Sequence, residues 1–95
     1  MIELASVVRL TRRARLRFDR HSQKHMLLYP EHGIELSASA ADVLTRLSEA
    51  LTVGSIVEQL VEKYGSAARE VIAADVLELL RGLADRGLVE EEVSP

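Results

Sequence analysis

The stretch MLLYPEHGIELSASAADVL, residues 26–44, decides the fold. An apolar run ends at Pro30, and only Ile34, Glu35 and Leu36 remain for a strand before a helix-start signal at Ser37 or Ser39. A strand of about three residues is at the short limit for a sheet. Its backbone N–H and C=O groups stay unpaired unless something lies beside it. The chain passes from strand to helix here, and the partner of Ile34–Leu36 is the open question.

Upstream of this stretch the pattern has a period of two. In ARLRFD, residues 14–19, Leu16 and Phe18 face one way and Arg15 and Arg17 the other, which predicts a half-buried strand. RHSQK is a polar turn, and HMLLYP is the returning strand of a hairpin, closed by Pro30, which has no ladder donor. EHG turns the chain, with Gly33 expected to supply freedom in φ. Residues 1–11 alternate only weakly and are expected to form an extended or mobile arm.

Downstream the period becomes helical. Ser39-x-x-Asp42 resembles a capping box, and Ala40, Val43, Leu44 and Leu47 follow at helical spacing. Thr52 can cap a second helix that carries Val53, Ile56, Val57, Leu60, Val61 and Tyr64 and stops at Gly65. A third, longer helix is expected from about Ala68 to Arg86, ended by Gly87. Its apolar residues, Ile72, Ala73, Val76, Leu77, Leu79, Leu80, Leu83 and Ala84, cover a wide arc, so one flank can join the core and the other can wall a groove. LVEEEV then reads as a short strand or a tail. The expected class is α+β: an N-terminal three-stranded antiparallel sheet followed by three helices, winged helix-turn-helix-like. The expected organisation is an arm at 1–11, one domain at 12–92 and a tail at 93–95.

Ninety-five residues make one domain with a single modest core. No cysteine is present, which excludes disulfides, a thiolate nucleophile and cysteine-ligated metals. No apolar run is long enough for a membrane span or a secretory signal, so the expectation is a cytoplasmic domain without a membrane partner. The five glycines are isolated and form no phosphate-binding loop. His21, His25 and His32 lie on turn-prone polar segments, where surface histidines are commoner than metal ligands, and no nucleophile has an evident base. No cofactor, metal site or catalytic residue is expected.

The net charge of −3 conceals an asymmetry: residues 1–30 sum to +5 and residues 31–95 to −8. A winged helix would place its third helix in the DNA major groove, yet from Arg69 to Arg86 that helix sums to −1, and phosphate contacts need cations there. Specific nucleic-acid binding is therefore the lesser alternative. A free strand edge beside a long helix instead suits an extended peptide that adds to the sheet by backbone pairing. The competing expectation is pairing within the chain or cover by the arm.

In this order and spacing, Leu27-Leu28-x-Pro30-Glu31, Leu36 followed by Ala40 or Ala41 and Val43-Leu44, Thr52-Val53-x-x-Ile56-Val57 and Asp75-Val76-x-x-Leu79-Leu80 resemble the PqqD family of pyrroloquinoline quinone (PQQ) biosynthesis over about residues 15–92. The resemblance implies a non-catalytic peptide chaperone, or RiPP recognition element. It would bind a ribosomal precursor peptide (PqqA-like) and present it to a radical SAM enzyme (PqqE-like). Recognition for another RiPP pathway is the alternative it leaves. On this reading Ile34, Glu35 and Leu36 offer backbone groups to the peptide. Ile72, Asp75, Val76 and Leu79 form the helix wall, and Arg15 and Arg17 attract an acidic precursor or the enzyme. The uncovered edge implies a monomer or weak homodimer. Family members usually carry Asp-Gly between the first two helices. This chain has Ser48-Glu49-Ala50 instead, so a different loop geometry is expected.

Overall fold

The computed structural model describes residues 1–65 and 68–92. The order of elements is β1 (Val8–Leu10), β2 (Arg15–Asp19), β3 (Lys24–Tyr29), β4 (His32–Glu35), α1 (Ala38–Thr45), a 3₁₀ turn (Arg46–Glu49), α2 (Val53–Tyr64), α3 (Arg69–Asp85) and β5 (Val89–Glu91). The class is α+β, with three α-helices and two antiparallel sheets rather than one. The expected tail at 93–95 lies outside the described residues.

The three-stranded sheet has the order β2-β3-β4, with Arg15 opposite Leu28, Arg17 opposite Met26, Met26 opposite Glu35 and Leu28 opposite Gly33. Side chains alternate across it. Leu16, Leu27, Tyr29, Ile34 and Leu36 belong to the inner side, and all are buried or packed against the core. Arg15, Arg17, Met26, Leu28 and Glu35 belong to the outer side. Phe18, near the hairpin tip, is inward by parity but stays 44% exposed.

Residues 1–11 turn at Leu4–Ala5, where Ser6 N donates to the Glu3 carbonyl at 3.0 Å, and then form β1, so they are not a free arm. Val8–Leu10 pairs with Val89–Glu91, and Ile2 and Val8 are buried in the core. The reason is the start of α2, whose first N–H groups have no partner within the helix. Val53 N donates to the Ser6 carbonyl and Gly54 N to the Leu4 carbonyl, both at 2.8 Å. A Cβ on Gly54 would lie 3.2 Å from the Leu4 carbonyl oxygen, so glycine permits this approach. Arg81 Nε donates to the Ile2 carbonyl at 2.8 Å, tying the segment to α3. The packed unit therefore begins well before residue 12.

Helix ends follow local chemistry. Ser37, not Ser39, caps α1 by accepting from Ala40 N, and Thr52 caps α2 by accepting from Ser55 N. The capping box does not form, because Ser39 already lies inside α1, one residue past its start. Gly65 and Gly87 both hold positive φ at the ends of α2 and α3. At the Tyr29–His32 hairpin the positive φ falls on Glu31, at 67°, and not on Gly33, correcting the expectation for that glycine. Pro30 followed by a positive-φ residue is the order of a type II turn. Gly33 has a different use: a Cβ there would sit 3.0 Å from Leu28 Cδ2, so its absence lets the Leu28 side chain lie across β4.

Candidate functional site: a strand edge and a helix wall

β4 pairs with β3 on one side, and among the described residues nothing pairs with its other side. Hydrogen-bonded and non-hydrogen-bonded pairs alternate along an antiparallel ladder. Leu36 N donates to the His25 carbonyl at 2.9 Å, so His25–Leu36 is a bonded pair. The register then makes Leu27–Ile34 and Tyr29–His32 bonded pairs as well. Met26–Glu35 and Leu28–Gly33 are the non-bonded ones, and the backbone groups of Gly33 and Glu35 point to the open edge. Of the three strand residues expected to offer backbone groups, only Glu35 does so. Ile34 turns its groups inward, and Leu36 is core, 8% exposed, with its N–H used. The sequence reading missed Gly33, although the alternation alone would have found it once the register was known.

The Glu35 carboxylate lies on the outer side, where it accepts from Lys24 Nζ at 2.8 Å. That hydrogen bond, and then the negative charge, hold the Lys24 ammonium above its ordinary pKa. Both side chains are about half exposed, so the pair contributes little to stability.

α3 supplies the wall. Ile72, Asp75, Val76 and Leu79 line one concavity of about 250 Å³ together with Ser37, Ala40 and Val43. Val76 is buried and forms its floor, whereas Ile72 and Leu79 are half-buried. Asp75 is exposed and makes no hydrogen bond or ion pair with another described residue. At the far end Arg86 Nη2 donates to Tyr29 Oη at 2.7 Å, and the guanidinium lies 5.5 Å from the ring centre. Tyr29 is opposite His32, at the start of β4. From His32 to Ser37 the chain climbs about 16 Å at strand rise, and from Arg86 back to Asp75 it descends about 16 Å at helix rise. The strand edge and the helix wall thus match in length and run in opposite directions, tied together at the Tyr29–Arg86 end.

Ser37 and Tyr64 also line a second concavity, of about 720 Å³, with Phe18, His25, Glu35, Leu36, Ala41 and Asp42. Asp42 joins α1 to α2 here. It accepts from Lys63 Nζ at 2.8 Å and from Tyr64 Oη in a short hydrogen bond, and Arg46 Nη1 stands 3.5 Å away. Burial pushes the Asp42 carboxyl up, but the bonds from Lys63 and Tyr64 and the two cations outweigh it, holding the group below the usual carboxylate range. The sequence reading gave Tyr64 only a place on an apolar helix face. Its signal was position, a large aromatic on the last turn before Gly65, where a helix face runs out beyond the core.

Two of the three histidines make ring contacts: His25 meets Phe18 edge-on at 5.0 Å and His32 lies 5.5 Å from Tyr29. Among the described residues no three histidine, aspartate or glutamate side chains stand close enough to hold a metal ion. Nor is any described helix long and apolar enough to cross a membrane. Arg15 and Arg17 are exposed on the outer side of β2, away from the wall.

Comparison with known proteins assigns this geometry to a family. The family model described as coenzyme PQQ synthesis protein D (PqqD) matches residues 24–89. A PqqA binding protein of Rhodopseudomonas palustris (strain BisB5) is 38% identical over 87 residues, 92% of this chain and 84% of that protein. The bifunctional coenzyme PQQ synthesis protein C/D of Methylorubrum extorquens is 40% identical over 86 residues, 90% of this chain and 23% of that protein. The solution NMR structure of the PqqD truncation of Methylobacterium extorquens PqqCD, described as a stand-alone RiPP recognition element, matches with a TM-score of 0.79 and 38% identity over 95% of each chain. TbiB1, solved in complex with the TbiA(beta) leader peptide, has the same fold at a TM-score of 0.76 and 20% identity, over 90% of this chain and 99% of that one. With the family model covering the strand edge and the whole helix wall, and relatives aligned over nearly the whole chain, this protein belongs to the PqqD family.

Proposed function

We propose that the chain is a peptide chaperone of PQQ biosynthesis: it binds a PqqA-like precursor and presents it to a radical SAM enzyme. The observation that carries this reading is the open edge of β4 beside the α3 concavity, in a chain whose relatives are named PqqA binding proteins. The precursor adds as a strand to Gly33 and Glu35, and its alternate side chains drop against Ile72, Val76 and Leu79. Asp75, without a partner among the described residues, takes a cationic side chain or a backbone N–H of the peptide. Ile34 and Leu36 shape the edge from within. The three helices with the β1–β5 ribbon form a winged helix-turn-helix whose third helix serves as a peptide wall instead of a DNA reader. The domain works without a cofactor and without catalysis of its own, in the cytoplasm, as a monomer or weak homodimer.

Titration of the ¹⁵N-labelled chain with its precursor peptide tests this. Saturation at one peptide per chain is expected, with the largest amide shifts at Gly33, Glu35, Ile72, Asp75 and Leu79. Shifts confined to the Arg15–Arg17 side, or sequence-specific binding of duplex DNA in place of the peptide, would overturn it.

A further inference from the structure

The three-stranded sheet has a second face that the peptide reading does not use. Helices and core lie on its inner side only. On the outer side Met26 and Leu28 form a half-buried apolar strip, and Arg17 and Arg15 stand directly across from them on β2. With Arg20 at the hairpin tip, Arg17, Met26 and Leu28 line a shallow concavity of about 680 Å³. Arg15, Arg17 and Arg20 form no ion pair with a described residue. Of the nearby acids, Asp19 lines the same concavity and accepts from His21 N and Ser22 Oγ within its own turn rather than pairing with an arginine, and Glu35 is paired with Lys24. The face is an apolar strip bordered by three arginines, which outnumber the Asp19 carboxylate beside them and leave it an excess of positive charge.

We propose that this face docks the enzyme that acts on the bound peptide, through an acid-rimmed apolar patch on that enzyme, while the peptide occupies the β4 edge. The proposal rests on the chaperone reading above. Strand addition continues the same sheet, so every second side chain of the peptide projects on the outer side. It does so next to Gly33 and about 14 Å, three strand spacings, from β2. Because Gly33 has no side chain, Leu28 lies across β4 toward that position. The apolar surface therefore runs from Met26 over Leu28 to the peptide without a polar break. An enzyme seated here touches chaperone and cargo at once, and the arginines steer it by long-range attraction.

The test is calorimetry on the full chain with two titrants, the precursor peptide and the radical SAM enzyme of the same pathway. The parent is compared with Arg15→Glu/Arg17→Glu and with the milder Met26→Gln, circular dichroism confirming the fold of each. The expected result is a loss of about tenfold or more in enzyme affinity for both variants and a change of no more than about threefold for the peptide. Unchanged enzyme affinity overturns the proposal. So does an equal loss for peptide and enzyme, which would make the arginines part of the peptide site. Arginine-dependent dimers in sedimentation would give the face to a second copy and overturn it too. A parent that binds the enzyme through these arginines but never the peptide sinks the chaperone reading and leaves the docking face standing.

Discussion

Ala50 holds a left-handed backbone, φ 55° and ψ 37°, at the end of the 3₁₀ turn that joins α1 to α2. An L-residue with a Cβ pays about 1–2 kcal/mol for that conformation, whereas glycine adopts it freely. Ala50 thus holds under strain a conformation that glycine would adopt freely. Ala50→Gly should therefore stabilise the fold, by about 0.5–1 kcal/mol after allowing for the freer unfolded chain. A higher urea midpoint at unchanged slope is the expected outcome, and an unchanged or lower midpoint would mean that the turn relaxes around alanine. Glu31, at φ 67°, shows the same mismatch of residue and conformation, two positions before an actual glycine.

Whole elements were legible in proportion to how local their causes are. The caps at Ser37 and Thr52 and the stops at Gly65 and Gly87 act within about one helical turn, and each was readable from a few letters. The two-period alternation of β2 and β3 likewise fixed which side of the hairpin is buried. The β1–β5 ribbon was not legible, because Leu10 and Val89 meet only through tertiary packing and neither three-residue strand carries a pattern of its own. The Asp42 cluster was hidden for the same reason: its partners Lys63 and Tyr64 lie on another helix. The α3 arc was legible as an arc, and its division into a core flank and a wall flank became definite only with the neighbours in place. The N-terminal segment gives this a measurable form. Removing residues 2–7 takes Ile2 out of the core and strips Val53 N and Gly54 N of their acceptors. A loss of about 3–5 kcal/mol is expected, one buried aliphatic side chain plus two hydrogen bonds. A free arm would cost nothing, so denaturant unfolding of the shortened chain separates the two descriptions.

For the whole molecule, the sheet edge is the feature on which fold and function must agree, and two neighbouring prolines test it. In β4 the groups of Ile34 face β3 and those of Glu35 face outward. Ile34→Pro removes a ladder donor inside the domain and should destabilise the sheet before any ligand is added. Glu35→Pro leaves the β3–β4 ladder intact and removes the outward donor. Its further loss is the exposed pair with Lys24, which contributes little, and Glu35→Ala supplies the control. The expected pattern is a clearly lower melting temperature for Ile34→Pro and near-parental melting for Glu35→Pro and Glu35→Ala. Precursor affinity should fall about tenfold in Glu35→Pro and barely change in Glu35→Ala, since one net hydrogen bond is worth about 1 kcal/mol and proline also obstructs the approaching strand. A folded Glu35→Pro chain that binds the precursor like the parent would show that the peptide does not lie along this edge. The α3 concavity would then hold its ligand through side chains alone.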